Sequence, residues 1–186
     1  PRSSSAASDV YKRQILIKII ESQSNMSIFE FANDNLFEPL EISNVYWFQD
    51  DSGLAFGGFG LYLTSREMAK LGQLYAQEGI WNGTRIVSQD WVSQSTIDHL
   101  EPDVKFIYST RPTEGYGYLW WIFDSYYLAS GLHGQRIIVN PSQDYVLTFT
   151  SLDVTQSGAN ALHQMIISGE VAVSYTHLTL PTSFLV

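Results

Sequence analysis

The chain of 186 residues contains no cysteine. Disulfide scaffolds, Cys-ligated zinc, iron–sulfur clusters and thiol catalysis are therefore excluded. Positive charge is also scarce: 10 Lys and Arg stand against 19 Asp and Glu, a formal charge of −9. A phosphate-backbone binder needs clustered Lys and Arg, so no nucleic-acid partner is expected. No run approaches the roughly 18 uninterrupted apolar residues of a membrane span. The N-terminal stretch lacks the apolar core of a signal peptide. There is no Walker loop, no His-Glu-x-x-His, no Gly-x-Ser-x-Gly and no dinucleotide fingerprint, and no cofactor or metal is implied. What is present suffices for a core: 45% of the residues are hydrophobic and 14% aromatic, so wholesale disorder is excluded. The length fits one domain or a piece of one, and sets no oligomeric state.

The two ends are related through the genetic code. Asp9-Val-Tyr-Lys-Arg-Gln14 can be written GAT GTG TAT AAG AGA CAG. Its reverse complement, read two bases in, encodes Val-Ser-Tyr-Thr-His, the sequence at residues 173–177. This resembles a transposon mosaic end from library preparation, read through at both edges of a DNA fragment. Residues 1–14 and 173–186 are therefore expected to be adapter-derived tails, with ordinary polar tails as the alternative. The segment 15–172 is therefore expected to be a piece cut at both sides from a longer chain.

Within that segment, residues 15–21 read as the tail of an apolar helix. Ser27-Ile-Phe-Glu30 is a capping box, and the helix it opens is expected to run through Phe37. Residues 53–60 form a glycine-rich loop, read as a tight backbone turn. A second capping box, Thr64-Ser-Arg-Glu67, opens a helix with Met68, Leu71, Leu74 and Tyr75 on one stripe. Asn82-Gly83 marks a hairpin turn, and Ser88 caps a short helix carrying Trp91 and Val92. Residues 97–115 read as loop. Four strands are then expected, at 116–123, 126–130, 135–140 and 145–150, joined by connections short enough to imply antiparallel neighbours. A last helix carries Leu162, Met165 and Ile166. The fold class is α+β, a layered α/β arrangement with an antiparallel sheet flanked by helices.

Most chemistry-bearing clusters here have a plain reading. Asp98, His99, Glu101 and Asp103 crowd one loop, but a single His with irregularly spaced acids is a poor ligand set. Tyr116, Tyr118 and Trp120 alternate along an expected strand; they are candidates for substrate binding, with core packing the main alternative. The stretch Gly131-Leu132-His133-Gly134-Gln135 precedes an apolar strand. Two glycines around a His permit close backbone approach by a ligand, and a strand edge there can offer an N–H to an oxyanion. A packed turn His is the competing reading.

Taken together, residues 57–75, 79–92, 116–121, 131–135 and 139–141 resemble the C-terminal half of the serine β-lactamase-related hydrolases. That superfamily includes class C β-lactamases, penicillin-binding carboxypeptidases, esterases and 6-aminohexanoate-dimer hydrolases. The resemblance extends from Ile15 to about Ile167. It implies a partial serine β-lactamase-like fold and an acyl-enzyme mechanism on a small amide, ester or peptide substrate. It also implies a nucleophile in a Ser-x-x-Lys helix, a Tyr-x-Asn or Ser-x-Asn motif and a Lys/His-Thr/Ser-Gly strand motif. The first two motifs occur nowhere in this sequence. The third has a counterpart at Leu132-His133-Gly134, with the Gln135 N–H as oxyanion donor. The segment is thus expected to supply the substrate-facing edge of the sheet, to lack the nucleophile and to be inactive alone. The resemblance also allows a periplasmic or secreted parent. A non-catalytic peptide- or glycan-binding homologue and an unrelated structural or interaction domain stay open as alternatives.

Overall fold

The computed structural model describes residues 2–99, 115–152, 155 and 157–168. The chain divides into two compact units, Pro1–Glu67 and Met68–Val186. Glu101, Asp103 and the tail at 173–186 lie outside the described residues.

The first unit starts with α1 (Arg2–Ser24), which runs unbroken through residue 14 into the apolar stretch read from the sequence. Gln14 takes part in the packing: its Nε2 donates to the Ala55 carbonyl at 2.8 Å, and the Gly57 N–H donates to its Oε1 at 3.1 Å. The Ser27–Glu30 capping box forms as expected and opens α2 (Ile28–Ala32). The α-helix ends earlier than expected, however. Residues Asn33–Phe37 form a π-helical turn, closed by the Glu38 N–H on the Asn33 carbonyl at 2.8 Å. The wider turn and Pro39, which cannot donate, let Phe37, Leu40 and Ile42 go inward, where all three are buried. Strands β1 (Tyr46–Trp47) and β2 (Leu61–Tyr62) pair antiparallel around the glycine-rich loop. Gly60 needs its missing side chain: φ is +84°, and a Cβ would stand 2.7 Å from the Phe48 Cβ. The second capping box also forms, with the Thr64 N–H donating to Glu67 Oε2 at 2.7 Å. Glu67 Oε1 accepts a further N–H, from Asn44, at 2.9 Å. Burial raises the Glu67 pKa, but these N–H donors outweigh it and hold the carboxylate below its ordinary value.

Helix α3 (Ser65–Ala76) follows, its last turn closed by the Gly79 N–H on the Leu74 carbonyl. Strands β3 (Ile80–Trp81) and β4 (Thr84–Arg85) follow, with Asn82 and Gly83 both at positive φ, the signature of the tight hairpin turn that the Asn-Gly pair predicts. Ser88 caps α4 (Gln89–Ser95) through its Oγ. The second unit is built on a five-stranded antiparallel meander. Its strands are β5 (Gly115–Tyr116), β6 (Trp121–Ile122), β7 (Tyr127–Ser130), β8 (Arg136–Asn140) and β9 (Tyr145–Phe149), in chain order. The chain then enters α5 (Ser157–Ile167).

Side-chain alternation along β8 divides the sheet into two faces. On one, Ile137 and Val139 meet α3 at Gly72, where a Cβ would lie 2.5 Å from Val146 and 2.8 Å from Ile137. On the other, Leu128 and Ile138 are wholly buried with Phe123 and Tyr126, and the His163 ring of α5 packs edge-on against both aromatics. Each fully buried aliphatic of this kind stabilises the fold by about 1.5–3 kcal/mol. The unit is therefore a helix–sheet–helix sandwich, the α+β class read from the sequence.

One strand assignment is corrected. Residues 116–123 do not form one strand but two, β5 and β6, joined by a turn. The Gly117 N–H bonds the Trp120 carbonyl at 2.7 Å, and Leu119 takes φ +70°. The cause is α4: the Tyr118 N–H bonds the Ser95 carbonyl, and a Cβ on Gly117 would be 2.2 Å from that same oxygen. The aromatic alternation imitates a strand while the backbone turns back on itself.

Candidate functional site

The Gly131–Gln135 stretch is the turn between β7 and β8. The Gly131 N–H donates to the Gln135 carbonyl at 2.8 Å, and the Gly134 N–H to the Gly131 carbonyl at 3.2 Å. Gln135 also reaches sideways, its Nε2 donating to the Ser151 carbonyl at 3.0 Å. None of these bonds uses the Gln135 N–H. Leu132 points to solvent at 74% exposure, and His133 sits in the left-handed region at φ +64°. The His133 Nδ1 is buried without a hydrogen-bond partner among the described residues.

Two sequence expectations about this turn need correction. First, β8 is not a free edge. It pairs with β7 on one side and, from Arg136↔Phe149 to Asn140↔Tyr145, with β9 on the other. The turn therefore lies at a strand end, on the rim of the sheet. Second, Gly134 does not leave room for a ligand. Its φ is +94°, and a Cβ there would be 2.5 Å from the Ala159 Cβ of α5. The close approach that glycine permits is taken by the helix.

The three aromatic candidates do not share a face. Trp120 is buried, its ring 4.7 Å from Tyr75 and edge-on to Tyr127 at 5.1 Å. Burial, reinforced by Tyr75, pushes the Tyr127 phenol well above its ordinary pKa, so it stays protonated. Tyr116 packs on Trp121 across the β5–β6 pair at 4.5 Å. Tyr118 is 47% exposed and stacks on His99 at 4.3 Å and Trp91 at 5.4 Å. The acidic loop also has structural work at its start. Asp98 Oδ1 accepts the Tyr116 N–H, and the His99 N–H donates to the Tyr116 carbonyl, which holds β5 in place. No group of three metal-ligating side chains exists among the described residues.

Sequence reasoning missed the polar cluster behind the turn. Arg136, the residue after Gln135, is wholly buried. Its Nη1 donates to His163 Nδ1 at 2.8 Å and its Nη2 donates to Asn160 Oδ1. An arginine has only donors, so His163 Nδ1 must accept and Nε2 must carry the ring proton. Burial, and then the Arg136 charge, push His163 from an ordinary 6.5 down to about 4, which keeps the ring neutral at neutral pH. The guanidinium also faces the Phe149 ring at 5.9 Å. A signal was available: an Arg inside the apolar run Arg136-Ile-Ile-Val139 must be satisfied somewhere. Its partners, 24 and 27 residues away, could not be read from spacing.

The helix-covered meander, with a glycine turn opening its fourth strand, defines part of a serine β-lactamase-like fold. No family model matches the chain. It is 29% identical over 140 residues to the 6-aminohexanoate-dimer hydrolase of Paenarthrobacter ureafaciens, covering 72% of this chain and 36% of that protein. A Bacillus anthracis protein assigned as a 6-aminohexanoate-dimer hydrolase matches it structurally with a TM-score of 0.68. That match has 21% identity and covers 83% of this chain and 40% of the other. A Bacteroides dorei protein assigned as a β-lactamase matches with a TM-score of 0.55 at 13% identity, over 73% and 47% of the two chains. The two structural matches show a serine β-lactamase-like fold over part of its length. The chain spans less than half the length of each of these three proteins. Among the described residues no helix is long and apolar enough to cross a membrane.

Proposed function

We propose that this chain is the C-terminal part of a serine hydrolase that cleaves a small amide, ester or peptide through an acyl-enzyme. In this reading another part of the protein brings the Ser-x-x-Lys nucleophile and the Tyr-x-Asn motif. This segment brings the Leu132–Gln135 turn, with the Gln135 N–H aimed at the oxygen of the tetrahedral intermediate. The observation that carries the reading is the turn itself. It leaves that N–H out of its own hydrogen bonds, at a strand end, in a fold shared with hydrolases. A donor fixed before the reaction needs no reorganisation when charge develops, which is why such groups weigh heavily in catalysis.

The test has two arms. The chain alone is expected neither to hydrolyse p-nitrophenyl esters or nitrocefin nor to be labelled by a fluorophosphonate or a fluorescent penicillin. Stoichiometric labelling of any Ser would overturn the division of roles. In a longer protein containing the nucleophile, Gln135→Ala keeps the N–H and is expected to stay within a few-fold of full activity. Gln135→Pro deletes the donor and is expected to lower kcat on the order of 10²–10³. Both variants must melt near the parent temperature, because proline also disturbs a strand start. Full turnover in a folded Gln135→Pro protein would remove the oxyanion assignment.

A further inference from the structure

We infer that α5 sets the position of the Gln135 N–H, with Arg136 as the link and Asn160 and His163 as positioning residues. The inference rests on the oxyanion reading of Gln135. The N–H belongs to the peptide between Gly134 and Gln135, and both flanks of that peptide are tied to the same helix. On one flank, Gly134 packs against Ala159 so closely that no side chain could intervene. On the other, the Arg136 guanidinium is held by Asn160 Oδ1 and by His163 Nδ1. Asn160 and His163 stand three apart on α5 and therefore share a face. The Gln135 side chain adds a third tie, to the Ser151 carbonyl at 3.0 Å.

The chemistry of the cluster favours positioning over simple packing. Burying a guanidinium is costly, and a well-packed apolar group of similar size stabilises a fold at least as well. What the ion adds is direction, because two donors of a planar fork meet two acceptors fixed on one helix. His163 suits this role only as the neutral ring, whose Nδ1 lone pair can accept. Withdrawing an acceptor leaves the guanidinium to seek another partner, and the start of β8 moves with it. A donor displaced by about 1 Å from its working geometry costs on the order of 10²-fold in rate.

The test substitutes the acceptors and reads both geometry and turnover. Geometry is read on this chain, from the 1H–15N resonance of Gln135. His163→Leu and Asn160→Ala are expected to shift that resonance, whereas His163→Gln, which restores an acceptor, is expected to bring it back toward the parent position. Turnover is read in the longer, nucleophile-bearing protein. There, the first two variants are expected to lower kcat about 10²-fold with KM within a few-fold, and His163→Gln to recover most of the loss. Because His163→Leu leaves a buried guanidinium short of an acceptor, Asn160→Ala at the half-buried position keeps the test decisive if the leucine variant does not fold. Folded variants that leave both the Gln135 resonance and kcat unchanged would overturn the inference. If Gln135→Pro is then inactive, the oxyanion reading survives without it. If folded Gln135→Pro turns over fully, both fall.

Discussion

The two units are built with different margins. In the second, β8 is zipped to neighbours on both sides, and Leu128, Ile138 and Val139 have no exposed surface. In the first, the paired strands are two residues long, and Tyr46, Phe48, Phe59 and Tyr62 keep between 46% and 60% of their surface in water. These rings touch one another rather than a core: Tyr46 lies 5.7 Å from Tyr62, and Phe59 stacks on Phe56 at 4.7 Å. The difference teaches where a backbone group can be held fixed. The Gln135 turn is attached to the well-packed sheet and α5, where a backbone amide keeps its geometry. The first unit holds its shape through caps, the buried Phe37, Leu40 and Ile42 and a small cluster of Ile17, Ile28 and Ala55, and also carries an exposed aromatic surface.

The sharpest way to break this comparison is to load the same side chain onto one glycine in each unit. Gly134→Val meets Ala159 at 2.5 Å and also forces a β-branched residue to φ +94°. Overpacking and the left-handed penalty together are expected to cost about 2–5 kcal/mol in urea unfolding. Gly53→Val has φ +82° but nothing within 4 Å, so only the conformational penalty applies, about 1–2 kcal/mol. Equal losses at the two sites would mean that the turn is no better packed than the open loop.

That contrast also explains what the sequence disclosed. Caps and turns are local, so Ser27–Glu30, Thr64–Glu67, Ser88 and Asn82-Gly83 were all readable and all form. The antiparallel meander was readable for the same reason, through its short connections. Residues 116–123 misled because side-chain alternation is shared by strands and by this aromatic turn, and the deciding contact, Ser95 on Gly117, is not local. At the site, the order Gly-Leu-His-Gly-Gln was legible, but the purpose of Gly134 was not. A glycine admits a ligand or a helix equally well, and only the packing of Ala159 decides. The buried Arg136 cluster depends on pairings across the fold that no local pattern encodes.

A second prediction probes the well-packed unit through pH. His163 is buried against Phe123 and Tyr126, hydrogen-bonded to Arg136, and pushed down to about 4. An unfolded chain takes up this proton near 6.5, whereas the folded protein refuses it until about 4. The unfolded state therefore binds more protons across that window, and stability falls as pH drops from 6.5 to 4, by on the order of 3 kcal/mol. Above 6.5 this contribution is complete, and below 4 it changes no further. Glu30, held low by Ser27, and Asp50, held low by Ser52, act only from their ordinary 4.5 and 3.8 downward. The slope between pH 6.5 and 5 thus reports His163, and His163→Leu is expected to flatten it in urea titrations. An unchanged slope would show that His163 is not kept neutral by its surroundings.

The smallest expected effect lies on the exposed aromatics of the first unit. Contiguous apolar rings bind the dye ANS, whereas scattered ones do not. Tyr46, Phe48 and Tyr62 form one chain of ring contacts, and Phe48 continues it through Phe56 to Phe59. Tyr62→Ser and Phe59→Ser remove one ring from each end. Each is about half-exposed or more, so the transfer free energy already lost to water is not lost again. Stability is expected to change by less than about 1 kcal/mol, while ANS fluorescence of the double variant falls to a small fraction of the parent's. Gly60→Ala separates the patch from the hairpin that carries it, since a Cβ there strikes Phe48 at 2.7 Å and displaces the central ring. If the serine variants instead destabilise the chain by 2–3 kcal/mol with dye binding unchanged, the rings are a core in use. The first unit would then be as tightly built as the second.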